Sequence, residues 1–178
     1  MRILTKTGGV DWLKKSNLRE IHSPFVDPDF VRDASYAIPG DAGRKTALSR
    51  LIANLMDPAD GEGLLWIWGH GIWPSSENQA LFRALRTALG QQTPLDEAPC
   101  HTFTASDKQE LECVLDLVLY FSWDASLLSP RQGLILCLSH DEVLDVYRRK
   151  EIQISGIGES FKQFGLTLLT SRERSGES

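Results

Sequence analysis

The longest apolar runs in the chain, Leu64–Trp68 and Leu134–Leu138, are strand-sized, and this sets the kind of fold it can adopt. A run apolar on both sides of an extended chain needs cover on both faces, so each run predicts a strand inside a sheet. Neither approaches the ~20 apolar residues of a membrane-spanning helix. A longer period-two stretch precedes the second run. Leu117, Leu119, Phe121, Trp123, Ala125 and Leu127 alternate with Tyr120, Ser122, Asp124 and Ser126, the pattern of a half-buried strand. Pro130 to Gly133 turn the chain, so Leu117–Leu128 and Leu134–Leu138 are expected to pair as an antiparallel hairpin at the centre of the sheet.

Helical periodicity fills much of the rest. Ala47, Leu48, Leu51, Ile52, Leu55 and Met56 form one helical face, with Asp41 as N-cap and Pro58 and Gly61 as terminators. Ser76 and Gln79 form a capping box before a stripe of Ala80, Leu81, Ala84, Leu85, Ala88 and Leu89, and Gly90 closes that helix. Ser106 and Gln109 repeat the pattern ahead of Leu111, Val114, Leu115 and Val118. Ser139 and Glu142 repeat it again ahead of Val143, Leu144 and Tyr147. Ala34–Ile38, Cys100–Thr104 and Glu151–Ser155 fit short strands, and Phe161–Leu169 fits a strand or a helix. The N-terminal third is otherwise irregular, with a short helix at Val10–Leu13, and the tail from Ser171 is polar. The expected fold is α/β, a layered sandwich with a mixed β-sheet flanked by helices, in one domain over residues 1–178.

The three cysteines, Cys100, Cys113 and Cys137, are odd in number and lack CxxC spacing, which argues against a disulfide framework or a zinc site. They read as reduced and mostly buried. With no signal-peptide pattern after Met1, this implies a cytoplasmic protein. The net charge of −5 disfavours a general nucleic-acid binder.

Several motifs look chemical and resolve into structure. Gly40 to Thr46 resembles a phosphate loop, but Arg44 and Pro39 stand where that loop needs its glycines. Ser139-His140-Asp141 holds the residue types of a hydrolase triad, but adjacent side chains do not converge as a triad must. Arg148-Arg149-Lys150 fits a helix end, where cations meet the negative dipole. His22, His70, His101 and His140 have no ligand spacing and read as surface or hydrogen-bonded residues. No cofactor or metal is expected. Asp107, Glu110, Glu112 and Asp116 lie along one predicted helix, and Asp141, Glu142 and Asp145 begin another. Such carboxylates form a solvated face or an acidic surface for a partner.

The segment from Leu64 to Pro74 is the least ordinary. In a strand Trp66, Trp68 and His70 share a face, Gly69 and Gly71 loosen the backbone, and Trp73 sits beside a helix start. These tryptophans are either core or an interface anchor. The candidate binding residues are therefore Trp66, Trp68, His70, Trp73, Asp107, Glu110 and Asp116, with no catalytic residue among them. In size, acidity and aromatic-rich strands the chain resembles small bacterial immunity and inhibitor proteins. The absence of catalytic motifs, the tryptophan cluster and the acidic helices together lead to the expectation of a non-enzymatic module that binds another protein as inhibitor, immunity factor or adaptor. Charge and run length argue against nucleic-acid and membrane partners. The competing expectation is a small-molecule-binding protein or enzyme with a pocket near His70. Homo-oligomerisation is left open by the sequence.

Overall fold

Leu64–Trp68 lies within strand β3 (Gly63–Gly69), and Leu134–Leu138 within β6 (Leu134–Ser139). The computed structural model describes residues 1–18, 27–58, 61–69, 76–152 and 156–169, with backbone alone for 76–79. The remaining described strands are β1 (Arg2–Leu4), β2 (Phe30–Ala37), β4 (Cys100–Phe103), β5 (Asp124–Ser129), β7 (Val143–Arg149) and β8 (Thr167–Leu168). The described helices are α1 (Lys6–Lys15), α2 (Ala42–Leu55), α3 (Ser76–Ala88), α4 (Lys108–Tyr120) and α5 (Ile157–Gln163). Helices and strands thus mix as expected, and no described helix is long and apolar enough to cross a membrane.

Among the described residues the sheet has eight strands in the order β1-β4-β3-β5-β6-β7-β2-β8. Every described pair is antiparallel, which corrects the mixed sheet expected from sequence. Alternation of helices with strands suggested parallel crossovers, but β4 starts opposite Trp66 near the end of β3, so α3 and its following loop form a return. The expected hairpin forms and is central, with β5 and β6 paired from Ala125↔Leu138 to Ser129↔Leu134.

Successive residues of the central strands feed two separate cores, as the two-residue repeat of a strand demands. Leu65, Ile67, Ala125, Leu127, Leu136 and Leu138 pack with Leu48 and Ile52 of α2 and with Leu111, Val114, Leu115 and Val118 of α4. Leu64, Trp66, Leu128, Ile135 and Tyr147 pack with Trp12 and Leu13 of α1. In α2 the predicted face holds: Leu48, Ile52 and Met56 are fully buried, each worth roughly 1.5–3 kcal/mol. Asp41 caps that helix, its Oδ1 accepting from the Arg44 amide at 2.8 Å.

Other expectations are corrected. The described part of the N-terminal third holds more regular structure than expected, because α1 extends well beyond Val10–Leu13 and β2 begins four residues before Ala34. Leu117 and Leu119 belong to α4 and not to a strand. They fit both periods, and the helical stripe runs through Val118 and Leu119 until Ser122, at φ 50°, reverses the chain before β5. The box capping this region is Thr104 and Asp107, two residues ahead of Ser106 and Gln109, with the Thr104 amide donating to Asp107 Oδ2 at 2.8 Å.

No helix follows Ser139. Its Oγ accepts from the Asp141 amide within a tight turn, Glu142 takes φ 58°, and β7 follows. Asp141, Glu142 and Asp145 therefore sit on a turn and a strand, and Arg148 and Arg149 end a strand. Arg148 Nε donates to Asp33 Oδ1 at 2.8 Å, and the Arg149 guanidinium lies 5.5 Å from the centre of the Phe30 ring. Cys113 is exposed, unlike buried Cys100. Phe161–Leu169 contains both alternatives, the end of α5 and then β8. Side chains of the Ser76–Gln79 box lie outside the described residues, as do 153–155 and the tail from 170.

The face of α3 is also rotated from the predicted stripe. Phe82 and Arg86 are buried, while Leu81 is 54% exposed and Ala80, Ala84 and Ala88 face solvent. Gly90 does close the helix, at φ 78°, with its amide bonded to Thr87 O and the Gln91 amide to Arg86 O. Those two bonds satisfy carbonyls that the helix end would leave without partners.

Candidate functional site

β3 ends in a bulge. Ile67 pairs with Ala125 and Gly69 with Asp124, so Trp68 is the extra residue. Glycine is required at 69, since a Cβ there would stand 2.4 Å from Asp124 Oδ2. Trp66 turns into the second core. Trp68 is 38% exposed, and its Nε1 donates to Ser126 Oγ at 3.2 Å, which fixes the indole at the surface. Of the residues predicted to join them, His70 and Trp73 lie outside the described residues.

Beneath the bulge, buried Asp124 accepts from the His140 amide at 2.7 Å and lies 3.0 Å from His140 Nδ1. His140 Nε2 faces Asp141 Oδ1 at 3.4 Å, so both ring nitrogens are directed at carboxylates. Ser139 hydrogen-bonds within its turn, and no described contact brings its Oγ to the ring. The adjacent triplet is therefore no triad. A polar row crosses the sheet from this corner. Ser126 Oγ lies 3.4 Å from Cys137 Sγ, Cys137 pairs with Asp145, and Ser35 Oγ donates to Asp145 Oδ1 at 2.5 Å. Burial pushes the Cys137 and Cys100 thiols each up to about 12, so neither supplies a thiolate nucleophile near neutral pH.

The structure places Asp107, Glu110 and Asp116 along α4 and its leading turn. Asp107 Oδ1 and Glu110 Oε2 accept from the Met1 amino group at 2.7 and 2.5 Å, and Asp116 accepts from Ser49 Oγ at 2.7 Å. Burial works to raise the Asp107 carboxyl, but hydrogen bonds from Met1 and Thr104 hold it below the usual range. All three predicted partner-binding carboxylates thus serve contacts within the chain.

A second site escaped the sequence reading. Arg86 is 3% exposed, and none of its guanidinium nitrogens has a hydrogen-bond partner among the described residues. The Phe82 ring lies 5.7 Å from the guanidinium. Phe82 also meets His101 edge-on at 5.9 Å. His101, expected at the surface or hydrogen-bonded, is fully buried in β4. Neither ring nitrogen makes a well-formed hydrogen bond among the described residues, although the Pro99 carbonyl is close enough to favour the protonated ring. Burial, and then nearby Arg86, push its pKa down to about 3, so the ring is neutral at pH 7. Arg86 lines a cleft of about 100 Å³ between the end of α3 and the loop from Gln91 to Asp96. The signal in the sequence was the Phe82–Arg86 spacing of four, which places both on one helical face.

Among the described residues no group of three or more His, Cys, Asp or Glu side chains is placed to hold a metal. No family model, curated protein or solved structure matches this chain.

Proposed function

We propose that the chain is a non-enzymatic protein-binding module, acting as inhibitor, immunity-type factor or adaptor, with its partner contact centred on Trp68. The observation that carries this reading is the indole itself: exposed at a strand bulge yet held by Ser126, it offers a large contact area already fixed in orientation. The exposed Asp141 carboxylate beyond His140 and the net charge of −5 favour a basic partner. In the same reading the sheet is the middle layer, with α1 on one face and α2 and α4 on the other. The three free cysteines support a cytoplasmic location.

The test is affinity capture from the native host with wild type, Trp68→Ala and Ser126→Ala, each checked for thermal unfolding. Trp68→Ala is expected to fold and lose the captured partner, and Ser126→Ala to weaken capture. Equal recovery by all three proteins would defeat the reading, and so would loss of the fold in Trp68→Ala with full capture by Ser126→Ala. A small-molecule-binding protein or enzyme with a pocket near His70 is the second reading. It draws on the Asp124–His140 pair, because a carboxylate that orients an imidazole is the arrangement a general base needs. A His140→Ala variant that retains partner capture but loses a ligand-induced thermal shift would favour it.

A further inference from the structure

We propose that α3 is an acid-released flap. Protonation of His101, buried against Phe82 and near Arg86, lifts residues 80–90 from the sheet and uncovers the Phe82 ring while the rest of the fold stays closed. The device is independent of the Trp68 surface.

The helix is lightly fastened. Whereas α4 buries Leu111, Val114, Leu115, Val118 and Leu119, the buried side chains described on α3 are Phe82 and Arg86, with Leu85 half-buried against the core. Phe82 makes the main contact, meeting His101 edge-on at 5.9 Å and Trp123 edge-on at 5.1 Å. Arg86 works against docking, because its guanidinium is out of water with no hydrogen-bond acceptor among the described residues. An element that buries so few apolar groups opens at a lower free energy than the core beneath it. The unit also has an end: Gly90 takes φ 78°, and buried Leu95 and Ala98 fasten the loop beyond.

His101 supplies the trigger. In β4 it stands between Ile3 of β1 and Leu65 of β3, both apolar. The charged groups acting on its ring are Arg86 from α3 and the Met1 amino group from β1, both cations, and the amino group is itself held by Asp107 and Glu110. A protonated ring would therefore add a buried cation beside Arg86, and neither ring nitrogen has a well-formed hydrogen bond among the described residues. Burial, and then Arg86, outweigh the Pro99 carbonyl and push the docked ring's pKa down to about 3. Opening returns the ring to water, where histidine titrates near 6.5. The open form thus takes up the proton first. Acid leaves the balance alone above about pH 6.5, then shifts it towards the open form by about tenfold per pH unit down to about pH 3.

The experiment is native-state hydrogen exchange by NMR on the full chain at pH 7, 6 and 5, with and without low urea, for wild type and His101→Phe. In wild type the opening equilibrium of residues 81–90 is expected to rise about 25-fold from pH 7 to pH 5, with little urea dependence. The Leu127 and Leu136 amides are expected to exchange only through a strongly urea-dependent global step. His101→Phe is expected to remove the rise in α3, and the wild-type His101 ring resonances should stay those of a neutral imidazole at pH 5. Should His101→Phe fail to fold, those resonances and the wild-type exchange decide the case. An α3 opening that does not change with pH overturns the flap. Exchange of α3 and Leu136 through one common urea-dependent step overturns it too, since α3 then never parts alone. A rise that persists in His101→Phe, or a folded-state ring that titrates near pH 6.5, removes His101 as the trigger, and the proposal falls.

Discussion

Asp124 and Arg86 are equally buried, at 3% exposure each, yet their surroundings are opposite. Asp124 is met by the backbone and ring of His140, so its charge is answered inside the chain. Arg86 has five donors and, among the described residues, no acceptor for them. Burial alone therefore does not separate a polar group whose partners hold a fold together from one left without a hydrogen-bond acceptor. The inventory of partners does, because most buried polar groups in folded proteins are hydrogen-bonded and each exception needs an explanation.

The largest expected effect comes from acid, on the unanswered side. Folded His101 has its pKa pushed down to about 3, whereas in the unfolded chain it titrates near 6.5. As pH falls the unfolded state takes up the proton first. This contribution is therefore complete above about pH 6.5 and drains by about 1.4 kcal/mol per pH unit down to about pH 3. Urea unfolding of wild type and His101→Phe across that window isolates it: the two curves should diverge as pH falls, and parallel curves would show that the ring is not held neutral.

Next is the answered side. Asp124→Ala is expected to cost about 2–4 kcal/mol, since it strips a buried acceptor from the His140 amide and ring. A loss below about 0.5 kcal/mol in chemical denaturation would remove the contrast with Arg86. Arg86→Met, by comparison, should be neutral or stabilising by about 1–2 kcal/mol, read from the same urea curves. The smallest effect belongs to Ser139→Ala, roughly 0.5 kcal/mol for one hydrogen bond in an exposed turn. A cost of several kcal/mol would mean that the turn carries the β6–β7 pairing.

What the sequence made legible was burial on both faces and simple caps. β3 and β6 follow from short apolar runs flanked by turn residues, α2 from a helical stripe, and the hairpin from the turn at Pro130–Gly133. Ser139-x-x-Glu142 misled because the same residues suit a helix start and a reverse turn, and only the alternation of Leu144 and Val146 into one core marks a strand. At Leu117 two periods overlapped, and the left-handed backbone of Ser122 that decides between them has no signature in a serine. The Arg86 site was hidden by a rotation of α3. Leu81 and Ala84 looked like the buried face, yet Phe82 is bulkier and turned inward, carrying Arg86 with it. Trp68 was legible as a candidate, but whether it faced core or solvent depended on the bulge opposite Asp124.

The unbroken meander of β5, β6 and β7 also bears on the order in which the molecule forms. Ser129 meets Leu134 across Pro130–Gly133, and Ser139 meets Val143 across an even shorter turn. Arg2 must find Thr102 across 100 positions. Closing that longer loop costs about 2–3 kcal/mol more entropy than closing a turn of a few residues. The three central strands are thus the part that gains contacts soonest, and the β1 edge is added last, once β4 is docked on β3. Mutations in Leu136 should accordingly slow folding, while mutations in Ile3 should leave the folding rate alone and hasten unfolding.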